Sequence, residues 1–155
     1  MVDDSPKRVV ARVLTRDVLA AFGQIADRYG MDLIDTLVFS GVWTANTAHL
    51  SDAQVYAGTF DVPPDEVRRP VSLAALAEGL RMEAALVAER VAGLIGRGMV
   101  AKIEGGLVVP SAVFLRPEML DGIELAYVRT MQMVQALEDY GVVEEVQRLR
   151  GRAKG

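Results

Sequence analysis

The chain has 155 residues, no cysteine and a formal net charge of −4, and 51% of its residues are hydrophobic. This length fits one domain, or one domain with a long helical arm, and the apolar fraction argues against a disordered chain. The absence of cysteine excludes a disulfide framework and any thiolate metal site. The longest mostly apolar stretch, residues 33–50, is too short and too polar to span a bilayer, and the N-terminal residues lack the apolar core of a secretory signal. We therefore expect a cytoplasmic protein that does not bind membranes.

Two helices are predicted in the first third of the chain. Residues 1–14 are predicted to form a loosely held arm, and the spacing of Val18, Phe22 and Ile25 predicts an amphipathic helix over residues 15–29. A second helix is predicted from about Asp32 to Leu50, with an acidic start that suits the positive end of the helix dipole. Because this helix is apolar on most faces, we expect it to be the central buried one. Residues 51–69, with one glycine and two prolines, are predicted to be a linker.

Three polar or aromatic residues on the second predicted helix form a candidate ligand pocket. Trp43, Asn46 and His49 recur every three residues, so they could line a small effector site with the indole as its wall. The alternative is a tryptophan in the core, with an asparagine and a histidine at the helix end that satisfy nearby backbone groups. We prefer this structural interpretation.

Residues 69–110 have the most informative pattern. Ser72 is a natural N-cap, and the apolar residues at 73, 76, 77 and 80 form one face of a short helix. After a break at 81–83, a second helix is predicted with Val87, Val91, Leu94 and Ile95 inward. Gly105-Gly106 lies between two β-prone runs, and this arrangement predicts a hairpin with a two-residue primed turn. A pair of helices joined by a tight turn and followed by a hairpin is the order of elements in a winged helix-turn-helix.

This segment also resembles the DNA-binding domains of bacterial regulators of the MarR, GntR and IclR kinds. The resemblance is carried by Leu76-Ala77, Val87, Leu94, Gly98 and Gly105-Gly106. It covers about a quarter of the chain and implies a recognition helix over about 83–97, which would enter the major groove, and a wing over 99–110.

The charge distribution suggests which residues would contact DNA. From Asp17 to Glu66 there are eight acids and one base, whereas from Arg68 to Glu104 six bases face four acids. Arginine and lysine neutralise phosphates, arginine recognises guanine, and glutamate can accept a hydrogen bond from cytosine. The predicted DNA-contacting residues are Arg68, Arg69, Arg81, Glu83, Leu86, Glu89, Arg90, Arg97 and Lys102.

A long helix is predicted from Pro117 to Tyr140, with Gly141 as its stop. Its apolar stripe is wider than packing against one partner requires, so we expect it to form a dimer. Its methionines could form an adaptable ligand surface, but we interpret them as core or dimer seam. A shorter helix over 142–150 and a basic end, residues 148–154, follow.

These observations predict a mainly α protein: a winged helix-turn-helix with a two-stranded wing, flanked by N-terminal helices and a long C-terminal helix. The predicted segments are 1–62 (helical arm and body), 63–114 (winged helix-turn-helix) and 115–155 (dimerisation helix and tail). We expect a homodimeric transcriptional regulator that binds double-stranded DNA; a small-molecule effector is a possible further partner, and the sequence does not decide whether one binds. We expect no enzymatic activity, metal or cofactor, because a lone histidine without cysteine forms no catalytic or metal set and no nucleotide-binding motif is present. The alternative is a winged-helix protein-interaction or scaffold module that does not bind DNA.

Overall fold

The computed structural model describes residues 6–50 and 54–153. Within these ranges the protein is mainly helical, with six α-helices and a small antiparallel sheet of two strands. None of the described helices is long and apolar enough to cross a membrane. The elements are α1 (Lys7–Tyr29), α2 (Leu33–Thr47), α3 (Leu73–Leu80), α4 (Ala84–Gly96), β1 (Ala101–Ile103), β2 (Gly106–Val108), α5 (Pro117–Asp139) and α6 (Val142–Ala153).

The chain divides into two compact units. The larger unit contains residues 25–123, and the smaller one combines the described residues up to 24 with those from 124 onward. The segments 1–62, 63–114 and 115–155 stay a prediction, and helix α2 falls in the same unit as α3, α4 and the hairpin. The physical reason is the apolar face of α2: Val38, Phe39 and Val42 are fully buried in the core that these elements share.

The core of the larger unit is built from helical apolar faces that meet one hairpin. Val87, Val91 and Leu94 recur every three or four residues on α4, so they lie on one side of the helix, and all three are buried. The cluster also contains Leu76 and Ala77 of α3. The predicted inward faces of α3 and α4 are therefore confirmed except at Ile95, which was predicted to point inward but is 39% exposed. Helix α2 is the central helix, as predicted.

The predicted N-cap of α3 is confirmed and α2 begins next to the predicted acidic residue Asp32, but the predicted start of the first helix is wrong. The Ser72 hydroxyl accepts a hydrogen bond from the Ala75 N–H at 3.1 Å, and the Asp32 carboxylate accepts one from the Asp35 N–H at 2.8 Å. The prediction of a loose arm over residues 1–14 is wrong from Lys7 onward, because α1 begins there and Val13 is buried. Residues 1–5 lie outside the described residues.

The hairpin turn lies one residue earlier than predicted. Ile103 pairs with Gly106, so the turn residues are Glu104 and Gly105, and of these two only Gly105 has a positive φ, at 90°. Gly106 belongs to β2, where a Cβ atom would lie 2.7 Å from the carbonyl carbon of Val71. Glycine is needed there because Val71 forms a β-bridge with Leu107 and brings a third backbone segment against the hairpin.

The turn between α3 and α4 contains a strained residue. Arg81 ends α3 in the left-handed conformation, with φ 54° and ψ 39°, and its N–H donates to the carbonyls of Ala77 and Glu78. This conformation costs a non-glycine residue about 1–2 kcal/mol. An arginine at this position therefore lowers stability relative to glycine.

We predict that Arg81→Gly stabilises the fold. Relief of the left-handed strain outweighs the greater unfolded-state entropy of glycine, for a net gain of about 0.5–1 kcal/mol in the free energy of unfolding. Denaturant titration measures the gain, with Arg81→Ala as the matched control because alanine removes the side chain and keeps the strain. Equal stability of the two variants would contradict the prediction.

Candidate functional site

The side of α4 that points away from the core carries small side chains and one acid. At about 100° per residue, Glu89 lies nearly opposite the buried Val87–Leu94 face. All outward positions are exposed, and they are occupied by Ala85, Glu89, Ala92, Gly93 and Gly96. Leu86 is half-buried at the flank of this face. The outward face of α4 therefore carries no basic side chain.

Arg90 was predicted to face DNA, and the structure directs it elsewhere. Its Nη1 atom lies 2.5 Å from Asp32 Oδ2 and 3.3 Å from Asp35 Oδ1, at the first turn of α2. Arg90 follows Val87 by three residues, so it lies at the edge of the buried face and within reach of α2. The hydrogen bond from the Asp35 N–H and the Arg90 guanidinium together lower the pKa of Asp32, and the bond to Asp32 raises the pKa of Arg90. Arg90 is therefore an internal ion-pair partner.

The side chains of Arg97 and Arg68 also form hydrogen bonds within the fold. The Nη2 atom of Arg97 donates to the carbonyls of Tyr29 and Gly30 at 3.3 and 3.0 Å, where α1 ends and the cation suits the helix dipole. The Arg68 side chain is only 1% exposed. It donates from Nε and Nη2 to the Pro63 carbonyl, its guanidinium carbon lies 4.9 Å from the centre of the Phe114 ring, and burial lowers its pKa. Arg68, Arg90 and Arg97 therefore all have partners within the fold, and their contact with DNA stays a prediction.

Three of the six predicted bases remain exposed and without a partner among the described residues: Arg69, Arg81 and Lys102. Arg69 precedes the segment that bridges to β2, Arg81 forms the α3–α4 turn, and Lys102 lies on β1, paired with Leu107. Exposed acids accompany them in the same segment: Glu78, Glu83, Glu89 and Glu104. The local charge is close to balanced, so any attraction for a polyanion depends on where these three bases point.

The first turn of α4 offers backbone donors. Glu83 is the N-cap residue, but its exposed side chain makes no capping hydrogen bond. The first N–H groups of a helix have no partner within the helix and lie at the positive end of its dipole. Such an end binds phosphate oxygens, and Arg81 is two residues before it.

Trp43, Asn46 and His49, the residues of the predicted ligand pocket, have different surroundings in the structure. Asn46 is fully buried, and its amide donates to the carbonyls of Arg69 and Leu107 at 2.7 and 3.0 Å and accepts from the Val109 N–H at 2.9 Å. His49 Nε2 lies 2.8 Å from the Val67 carbonyl. Trp43 is partly exposed beside Phe114. Asn46 and His49 thus hold the backbone that precedes α3 and the backbone of β2, as the preferred structural interpretation predicted, whereas Trp43 is not a core residue.

No protein-family model matches this chain, and neither a curated protein nor a solved structure matches it.

Proposed function

We propose that this protein is a dimeric winged helix-turn-helix transcriptional regulator that binds double-stranded DNA with α4 as its recognition helix. The observation that carries the proposal is the order and pairing of elements in the larger unit. Helix α2 is followed by the bridge at Val71, the α3–α4 pair with its tight turn, and the β1–β2 hairpin, with Val71 and β2 hydrogen-bonded. A tight turn between two helices, followed by a hairpin that packs beside the second, is the arrangement of winged helix-turn-helix domains.

The chemistry of the exposed surface is compatible with a recognition helix in the major groove. Ala85, Ala92, Gly93 and Gly96 leave the α4 backbone accessible, so the helix can approach base edges closely. Phosphates on either side would be held by Arg69, by Arg81 with the first turn of α4, and by Lys102 on the hairpin, which would serve as the wing. Phosphate contacts fix the register of the helix, and base contacts specify the sequence.

The experiment that tests this function is selection of bound duplexes from a random pool with the purified chain. The proposal predicts enrichment of one short sequence, repeated as two half-sites about 10 base pairs apart if the two recognition helices enter successive major grooves. A pool that stays random after repeated rounds at about 50 mM salt, where phosphate contacts are strongest, would reject DNA binding.

The smaller unit supports the dimer. On α5, Tyr127, Met131 and Val134 are spaced by four and three residues, so they form one stripe, and all three are exposed. Each large apolar side chain left in water forfeits about 1.5–3 kcal/mol relative to burial. A second copy of the chain is the partner that we propose for this stripe, because a two-fold dimer presents two recognition helices to two half-sites.

We predict that the double variant Tyr127→Glu and Met131→Glu is monomeric. The two glutamates of each chain would face those of the other chain across the two-fold axis and repel them. The apolar contacts of Tyr127 and Met131 would also be lost. Light scattering at micromolar concentration should give the mass of two chains for the wild type and of one chain for the variant. Gln135→Glu, an exposed position on the same helix, is the matched control and should remain dimeric. A wild type with the mass of one chain would reject the dimer.

A second function is favoured by one specific observation. Because the side chains of Arg68, Arg90 and Arg97 bind groups within the fold, α4 presents no unpaired basic side chain to DNA. This is compatible with a winged-helix module that binds another protein through the outward face of α4, where Glu89 is the one charged side chain. Retention on a heparin or DNA column at low salt separates the two functions, because only the DNA-binding form should be retained.

A further inference from the structure

Glu89 has a position on α4 that no other hydrogen-bonding side chain shares. It lies at the centre of the outward face, with alanine or glycine at every neighbouring outward position. Its carboxylate has no hydrogen bond or ion pair with a described residue, whereas Arg90, the next residue, is held by Asp32 and Asp35. Gly93 lies one helical turn further along, and a Cβ atom there would meet no heavy atom within 4 Å. The space above Glu89 is therefore open.

A carboxylate accepts hydrogen bonds and cannot donate them. In the major groove, only the cytosine N4 amine and the adenine N6 amine donate. The adenine donor lies next to the N7 acceptor, whose lone pair repels a carboxylate oxygen, whereas the cytosine N4 amine is the only hydrogen-bonding group that cytosine presents there. The chemistry of a lone glutamate on this face therefore favours cytosine.

We propose that Glu89 is the specificity-determining residue of α4 and that it selects cytosine at one position of each half-site. This inference rests on the proposed DNA-binding function. Glu89 also weakens binding at all other sequences, because an unpaired carboxylate in the groove is repelled by the phosphates. Glu89 thus raises the affinity for duplexes with cytosine at that position and lowers the affinity for all others.

The test compares wild type, Glu89→Gln and Glu78→Gln in duplex selection, followed by binding measurements on single-base variants of the selected duplex. Glutamine keeps the shape of glutamate but adds a donor, and it pairs with adenine N6 and N7. The wild type should prefer cytosine at one position by about 5- to 100-fold, a typical discrimination for one base contact. In Glu89→Gln this preference should disappear or move to adenine, and affinity for random duplex should rise.

Glu78→Gln is the matched control, because it removes the same charge from an exposed position of α3. It should change the affinity for all duplexes alike and leave the selected sequence unaltered. If Glu89→Gln selects the same sequence as the wild type, the specificity role is wrong while DNA binding stands. If the wild type binds no duplex at all, the DNA-binding function is wrong, and the inference falls with it.

Discussion

Replacing Asn46 by alanine should destabilise the larger unit by about 3 kcal/mol. The substitution leaves the buried Val109 N–H without a partner, and it also removes the bond to the Arg69 carbonyl. An orphaned buried donor costs about 1–3 kcal/mol, and the lost bond adds about 1 kcal/mol. The Leu107 carbonyl loses least, because it still accepts from the Val71 N–H at 3.0 Å. For a chain of this length, the expected fall in thermal midpoint is about 6–12 °C.

Thr47→Ala is the control for Asn46→Ala. Thr47 is the next residue of α2, and its hydroxyl bonds only the Trp43 carbonyl of its own helix, at an exposed position. Its removal should change the free energy of unfolding by no more than about 0.5 kcal/mol. Calorimetry or denaturant titration of both variants gives the comparison. A loss below about 1 kcal/mol for Asn46→Ala would show that the three bonds of the asparagine amide do not hold α2 to the backbone before α3 and to the backbone of and just after β2.

Replacing Arg69, Arg81 and Lys102 together by glutamine should weaken binding to the selected duplex by about a thousandfold at 50 mM salt. These three residues are the predicted phosphate contacts that remain exposed and unpaired in the larger unit. A dimer would lose six positive charges, and the affinity of DNA-binding proteins falls steeply with the number of phosphates that they neutralise. The salt dependence of the variant should be nearly flat.

A second triple variant with the same charge change controls for net charge. Arg8, Arg12 and Arg150 are exposed and belong to the smaller unit. Their replacement by glutamine should leave the salt dependence close to that of the wild type. If both triple variants lose affinity equally, the attraction depends on total charge and not on the surface around α4.

Much of the local structure follows from the sequence, because short-range rules decide it. The hydroxyl of Ser72 caps α3, Val87 and Val91 give α4 its inward face, and Gly141, with φ 75°, follows the end of α5. The hairpin was also predicted, but its turn was displaced by one residue. That displacement arises from a long-range contact, the close approach of Val71 to Gly106. Neither the periodicity of the sequence nor its turn preferences predict such a contact.

The directions of the long basic side chains were the least predictable part of the candidate site. Arg90 is one residue from Glu89, yet it turns to Asp32 and Asp35, which are 58 and 55 residues away in the sequence. The sequence did contain a clue: an acid-rich region over residues 17–66 precedes a base-rich one over 68–104. Opposite charges in two parts of one chain can form ion pairs within the fold. Some of the basic residues predicted to contact DNA, such as Arg90, are therefore already paired with acidic residues of the same chain.

The central claim, that this chain binds duplex DNA through α4 and the bases around it, is tested most directly by fluorescence anisotropy of the wild type on its selected duplex across a salt series. Three free bases per chain give six phosphate contacts per dimer. The expected slope of log affinity against log salt is therefore about −5. Random duplex should bind at least about a thousandfold more weakly than the selected one. Absence of binding to any duplex at about 50 mM salt would contradict DNA recognition and would leave the protein-interaction module as the function of this fold.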